Sequence, residues 1–217
     1  MSKEHKIVYK SGEGEIVEKK SRFLSALHPV YTEKEAIAFI EKMKKKYWNA
    51  AHNCFAYVIG ENREIIRCSD DGEPSGTAGK PMLDVLLGEN LYDAAVVVTR
   101  YFGGTLLGSG GLVRAYSRAV REGLSHSCIL VKYQGVYIEI TMDYADVGKL
   151  QYLFAQKQVP IIDAEYGQNV TMKVLCPSIQ LEEIKKGVVR ASSGRADIRQ
   201  GKEAAYVIEN GQIQLLP

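Results

Sequence analysis

No stretch of this chain is apolar over the roughly 18 residues that a membrane-spanning helix needs. The opening MSKEHKIVYKSGEGE also has no apolar core of the kind a signal peptide carries. The chain therefore reads as cytoplasmic, with no membrane partner. Cysteine is scarce: Cys54, Cys68, Cys128 and Cys176 stand apart, with no CxxC pair and no zinc spacing, which reads as reduced and mostly buried thiols. Four histidines, His5, His28, His52 and His126, are too dispersed for a multi-histidine centre, and neither a metal nor a cofactor is expected. A formal net charge of +2 excludes the polybasic flooding of proteins that bind nucleic acid by charge alone. Residues 1–130 hold 18 Lys and Arg against 16 Asp and Glu, and residues 131–217 hold 10 against 10, so any basic site must be local.

What is present reads as an α+β chain of two domains, 1–128 and 129–217. In the first, 15–18 and 23–28 have strand patterns, and Thr32 with Glu35 three residues on forms a capping box. That helix carries apolar Ala36, Ile37, Phe39, Ile40 and Met43 and ends in Lys44-Lys45-Lys46, which a helix C-terminus favours. Strands 54–59 and 64–68 read as a hairpin through residues 60–63. A short helix at 82–87, a buried strand at 94–99 and a helix at 109–124 complete the domain. The second domain reads strand 131–141, helix 144–157, strands 161–166 and 169–175, helix 179–189 and strand 204–208. Written out, this is βαββαβ, the ferredoxin-like unit. Its basic residues Lys185, Lys186, Arg190, Arg195, Arg199 and Lys202 are interrupted only by Asp197. With Tyr133 and Tyr137 as its sole stacking candidates it reads as a packing or docking domain.

Common catalytic signatures each fail at an identifiable residue. A P-loop ending at Gly79-Lys80 meets Pro74 and Pro81, a dinucleotide fingerprint from Gly108-Ser109-Gly110 meets Val113, and a nucleophile elbow from Gly123 meets Ser127. Asp70, Asp71 and Glu73 gather carboxylates that suit a divalent cation or a general base, while Asp-Gly and Glu-Pro are also ordinary turn chemistry. His52 and Cys54 offer imidazole and thiol, or a hydrogen-bonding His beside a buried Cys.

The densest chemistry lies between Asp93 and Glu122, a window without a single acidic residue. It holds Arg100, Arg114, Arg118 and Arg121 together with Gly103, Gly104, Gly108, Gly110 and Gly111. Glycines let a ligand approach the main chain, and free N–H groups ahead of a helix suit anions. At 100° per residue Arg114, Arg118 and Arg121 fall within an arc of about 60°, opposite Leu112, Ala115, Tyr116, Ala119 and Val120. Arg100, Tyr101, Gly103, Gly104, Gly108, Ser109, Gly110 and the three helix arginines are therefore the anion- or RNA-binding candidates, Tyr101 and Phe102 being able to stack on bases.

DGEPSGTAGKP at 71–81, VVVTRYFGGTLLGSGGLVRAYS at 96–117 and AHNCFAYV at 51–58 closely resemble the IMPACT/YigZ family, over roughly residues 15–125. The βαββαβ tail resembles the second domain of bacterial members. The resemblance implies a first domain like that of a ribosomal small-subunit protein and of domain IV of elongation factor G. It also implies a role in regulating translation through RNA, ribosome or protein contacts, without an established reaction. Matching positions are His52, Asn53, Cys54, Asp71, Gly72, Glu73, Pro74, Arg100, Tyr101, Phe102, Gly103, Gly104 and Gly108, and no chemical role comes with them. An RWD-type domain like that of the eukaryotic members is not seen before the first strand, so their action on a kinase through its activator is not expected here. A metal-assisted hydrolase built on the Asp/Glu/His residues and a purely protein-binding regulator are the alternatives.

Overall fold

A computed structural model describes residues 5–216, and the chain forms two compact units, Met1–Val131 and Lys132–Pro217. The first contains β1 (His5–Lys10), β2 (Gly12–Glu18), β3 (Ser21–Pro29), α1 (Glu33–Lys46), β4 (His52–Ile59), β5 (Ile65–Ser69), α2 (Gly79–Gly88), β6 (Leu91–Tyr92), β7 (Ala94–Tyr101) and α3 (Ser109–Ser125). Five strands make an antiparallel sheet in the order β2-β3-β7-β4-β5, while β1 and β6 pair in parallel over two residues. The central strand explains the layering. Ala94 to Val98 are all fully buried, as a strand covered on both faces requires. Because side chains alternate, Ala94, Val96 and Val98 pack with α2 and α3, and Ala95 and Val97 pack with Ala36, Ile40 and Met43 of α1.

Thr32 caps α1 by accepting from the Glu35 amide at 3.2 Å, and Glu35 bonds back to the amide of Tyr31 rather than that of Thr32. Strand β1 and the two residues of β6 have no clear alternation in the sequence. Helix α2 begins three residues before the apolar periodicity does, because its first turn is fixed by the side chain of Asp70.

The second unit continues β8 (Cys128–Met142) into α4 (Tyr144–Gln156), β9 (Ile161–Tyr166), β10 (Val170–Pro177), α5 (Leu181–Ala191), β11 (Asp197–Glu209) and β12 (Gln212–Leu215). Its strands are antiparallel in the order β9-β10-β8-β11-β12. Strand β11 is longer than its alternation suggests, because a bulge between Gln200 and Glu203 breaks the register. Several of the unit's basic residues have partners on the unit's own surface: Arg195 meets buried Asp146 at 2.6 Å, Arg199 meets Asp197 at 3.1 Å and Lys185 meets Gln200 at 2.9 Å. Among the described residues no helix is long and apolar enough to cross a membrane.

Candidate functional site

The 70–79 loop folds back over the start of β4 and the end of β7, and its three carboxylates take different partners. Asp70 accepts from the amides of Gly76, Ala78 and Gly79 at 2.8, 2.9 and 2.8 Å, which caps α2 from outside the helix. Burial alone would raise its pKa, but those three donors outweigh it and hold the carboxyl below the usual range. Asp71 is likewise pushed up by burial and pulled further down by Lys44 at 2.7 Å and the amide of Asn53 at 2.7 Å. Glu73 is buried, and its Oε1 accepts from Arg100 Nη1 at 2.6 Å and from the Tyr116 hydroxyl at 2.8 Å.

Around this pair the remaining motif residues close up. The Arg100 guanidinium lies against the rings of Phe23 and Phe102, 5.4 and 5.5 Å from their centroids. Cys54 Sγ stands 2.9 Å from the Asp70 carbonyl and 3.3 Å from Tyr116 Oη; burial, opposed by that Tyr116 bond, pushes its thiol up to about 12. Tyr116 is raised too, first by burial and then by Cys54 and Glu73. Thr99 donates to Asn53 Oδ1 at 2.7 Å. The His52 Nδ1 lies 2.9 Å from the Asp71 carbonyl. A carbonyl only accepts, so Nδ1 carries the proton and Nε2 faces Glu73 Oε2, 3.9 Å away. Gly72 has a φ of +90°, and the Pro74 carbonyl accepts from Thr77.

His52, Asp71, Glu73 and Arg100 are thus brought together, but mostly facing one another. Arg100, an anion-binding candidate from the sequence, has its side chain buried to 6% exposure against Glu73 at 3%. No group of three or more His, Cys, Asp or Glu among the described residues is placed to hold a metal ion. Sequence reasoning missed Tyr116 and Ser21 as members of this network: Tyr116 reads as one more apolar residue of its helix, and Ser21 accepts the amide of Gly103 from 82 positions away.

A second surface begins where this network ends. Tyr101 bonds Asn49 at 2.9 Å, Phe102 is half exposed and Leu106 is 82% exposed. Gly103 is required by contact, since a Cβ there would stand 2.1 Å from the backbone of Lys20. Gly108 is the N-cap of α3 with φ +74°, and no side chain caps the helix or places an acid in its first turn. Ser109 and Gly110 are exposed beside it, as is Gly104. Arg114, Arg118 and Arg121 all point outward from the apolar face. Arg118 meets Glu18 at 3.8 Å, and Arg114 and Arg121 have no ion pair among the described residues. Helices α1 and α5 place acids in the first turn and bases in the last, whereas α3 has no acid in its first turn and no base in its last.

Comparison with known proteins fits this division. Residues 19–124 match the Impact N-terminal domain and residues 140–195 match a domain of unknown function, DUF1949. The IMPACT family member YvyE of Bacillus subtilis is 44% identical over 195 residues, covering 90% of each chain. The IMPACT family member YigZ of Escherichia coli is 35% identical over 178 residues, covering 81% of this chain and 87% of that one. Protein IMPACT of Bos taurus is 36% identical over 98 residues, 43% of this chain and 30% of its own. A crystal structure described as that of a hypothetical protein superposes with a TM-score of 0.60 at 32% identity, covering 91% of this chain and 97% of the other. The chain belongs to the IMPACT family.

Proposed function

We propose that the protein is a cytoplasmic, translation-associated regulatory binding protein that contacts RNA or the ribosome through the Gly/Arg-rich surface of its first domain. The observation that carries this reading is the outward stripe of Arg114, Arg118 and Arg121, which starts beside an uncapped helix N-terminus. Guanidinium forks and free amides together match phosphate oxygens, and no reaction is needed to explain them. In this reading the first domain has the architecture of domain IV of elongation factor G and the second is ferredoxin-like, in keeping with its βαββαβ order. The buried Glu73–Arg100 network holds β7 and the 70–79 loop in place beneath the surface that binds.

Exposed Leu106 and Phe102 on the same loop favour a second reading, in which a regulatory protein docks there. The hydrolase alternative is left with His52 Nε2 and Glu73 Oε2, since the oxygens of Asp70 are taken by amides of the loop and those of Asp71 by Lys44 and the Asn53 amide. Co-sedimentation with ribosomes at low salt separates these readings. Replacing Arg114, Arg118 and Arg121 with glutamate should abolish it, while the same reversal at exposed Lys34, Lys42 and Lys45 should reduce it only modestly through the overall field. Equal losses from both sets, or association that survives nuclease and the arginine reversal alike, would overturn the RNA reading.

A further inference from the structure

We propose that a cavity of about 220 Å³ between the β2–β3 turn and the first turns of α3 is a phosphoryl-group site, with Glu18 as a resident counter-ion that the phosphate displaces. Its lining is Glu18, Lys19, Leu107, Gly111, Arg114, Ala115 and Arg118, so three cations face a single carboxylate. This deepens the RNA reading by assigning its anchor and adds Lys19 and Glu18, which lie outside the arginine stripe.

The cations converge against local preferences. Lys19 and Lys20 form the two-residue turn between Glu18 and Ser21, with φ of +44° and +68°. Such turns favour Asn-Gly, because side chains in the left-handed region clash with their own backbone. Here the strained positions place two ammonium groups at the tip of the hairpin, and Gly103 lets the adjoining loop press against the Lys20 backbone. Arg114 is placed just as unfavourably: its Nη1 lies 3.6 Å from where a Cβ on Gly110 would stand. The guanidinium therefore lies over the positive end of its own helix, where an isolated helix would favour an acid. Among the described residues the positive field has one partial compensation, Glu18 Oε2, at 3.8 Å from Arg118.

A tetrahedral dianion answers the charges that these positions bring together. It takes charge-assisted hydrogen bonds from Arg114, Arg118 and Lys19 and neutralises the helix end. Glu18, 42% exposed, swings into solvent when it enters. Glu18 thereby sets a threshold: weakly charged anions do not displace it.

The test is an NMR titration of the full chain with inorganic phosphate, against chloride at equal ionic strength. Amides of Lys19, Lys20, Gly110 and Gly111 should move with phosphate only. Arg118→Gln should weaken the affinity about tenfold, as loss of a charge-assisted bond does. Glu18→Gln should tighten it about threefold by removing an exposed competitor. Unmoved amides, or equal affinities for the two variants, would overturn the site even if RNA binds elsewhere. An RNA oligonucleotide titrated by fluorescence anisotropy then identifies the source of the phosphate. RNA affinities that follow the same order of variants place a backbone phosphate in the cavity. If phosphate obeys the order and RNA does not bind, the site stands as one for a small phosphorylated ligand and the RNA reading fails on its own.

Discussion

Replacing Glu73 with glutamine removes one charge from the most enclosed ion pair of the first unit and leaves its volume almost unchanged. The Arg100 partner stays buried, with Nη1 2.6 Å from the altered group and an Nε that has no hydrogen-bond partner. For charge centres about 4 Å apart at an effective dielectric of about 20, the lost attraction is about 4 kcal/mol. Breaking one side of a buried pair typically costs about 3–5 kcal/mol, and the glutamine carbonyl still accepts from Tyr116. The expected loss is therefore about 3 kcal/mol, which for a chain of this size lowers the transition by about 10 °C. Urea unfolding followed by circular dichroism, with calorimetry to separate the two units, measures it. Only the first unit should shift. Adding Arg100→Met to the variant removes the stranded charge, so the double variant should be no less stable than E73Q alone. A loss below about 1 kcal/mol, or purely additive losses in the double variant, would refute the claim that the motif residues serve the fold.

Acid stability follows from Asp70 and Asp71. Both have carboxyl pKa values held below the usual range, so the stability they contribute is complete above about pH 4 and is lost as pH falls through their folded values. Asp70→Asn should flatten that acid limb, as read by a pH series of urea midpoints. A thiol reagent at pH 8 should label exposed Cys68 in the folded protein, slowed by the burial that also raises its thiol, while Cys54, buried and raised to about 12, reacts only on unfolding. Gly103→Ala puts a methyl group 2.1 Å from the Lys20 backbone and should cost about 1–3 kcal/mol by overpacking, measured in the same urea assay.

Much of the fold is legible in the sequence because its signals are local. The Thr32–Glu35 capping box, the apolar face of α3 and the uninterrupted apolar run of β7 each report their own element. What stays hidden depends on residues far apart. Glu73, Arg100 and Tyr116 are separated by 27 and 43 positions along their hydrogen bonds, and no spacing rule joins them. An arginine beside glycines therefore suggests an anion site equally well at 100 and at 114, and only the packing shows that the first is enclosed and the second open. Only the second half of β11 shows in the sequence for a similar reason, since a bulge between Gln200 and Glu203 removes the alternation on which strand recognition rests.

The salt dependence of RNA affinity is the most direct test of a localised phosphate-binding surface on α3. Each phosphate contact contributes about −0.7 to −0.9 to the slope of log K against log salt. Substituting Arg114, Arg118 and Arg121 together should make that slope shallower by about 2 to 3, with an unchanged slope for the Lys34, Lys42 and Lys45 set. Identical slopes for the wild type and the arginine variant would mean that these arginines make no phosphate contact.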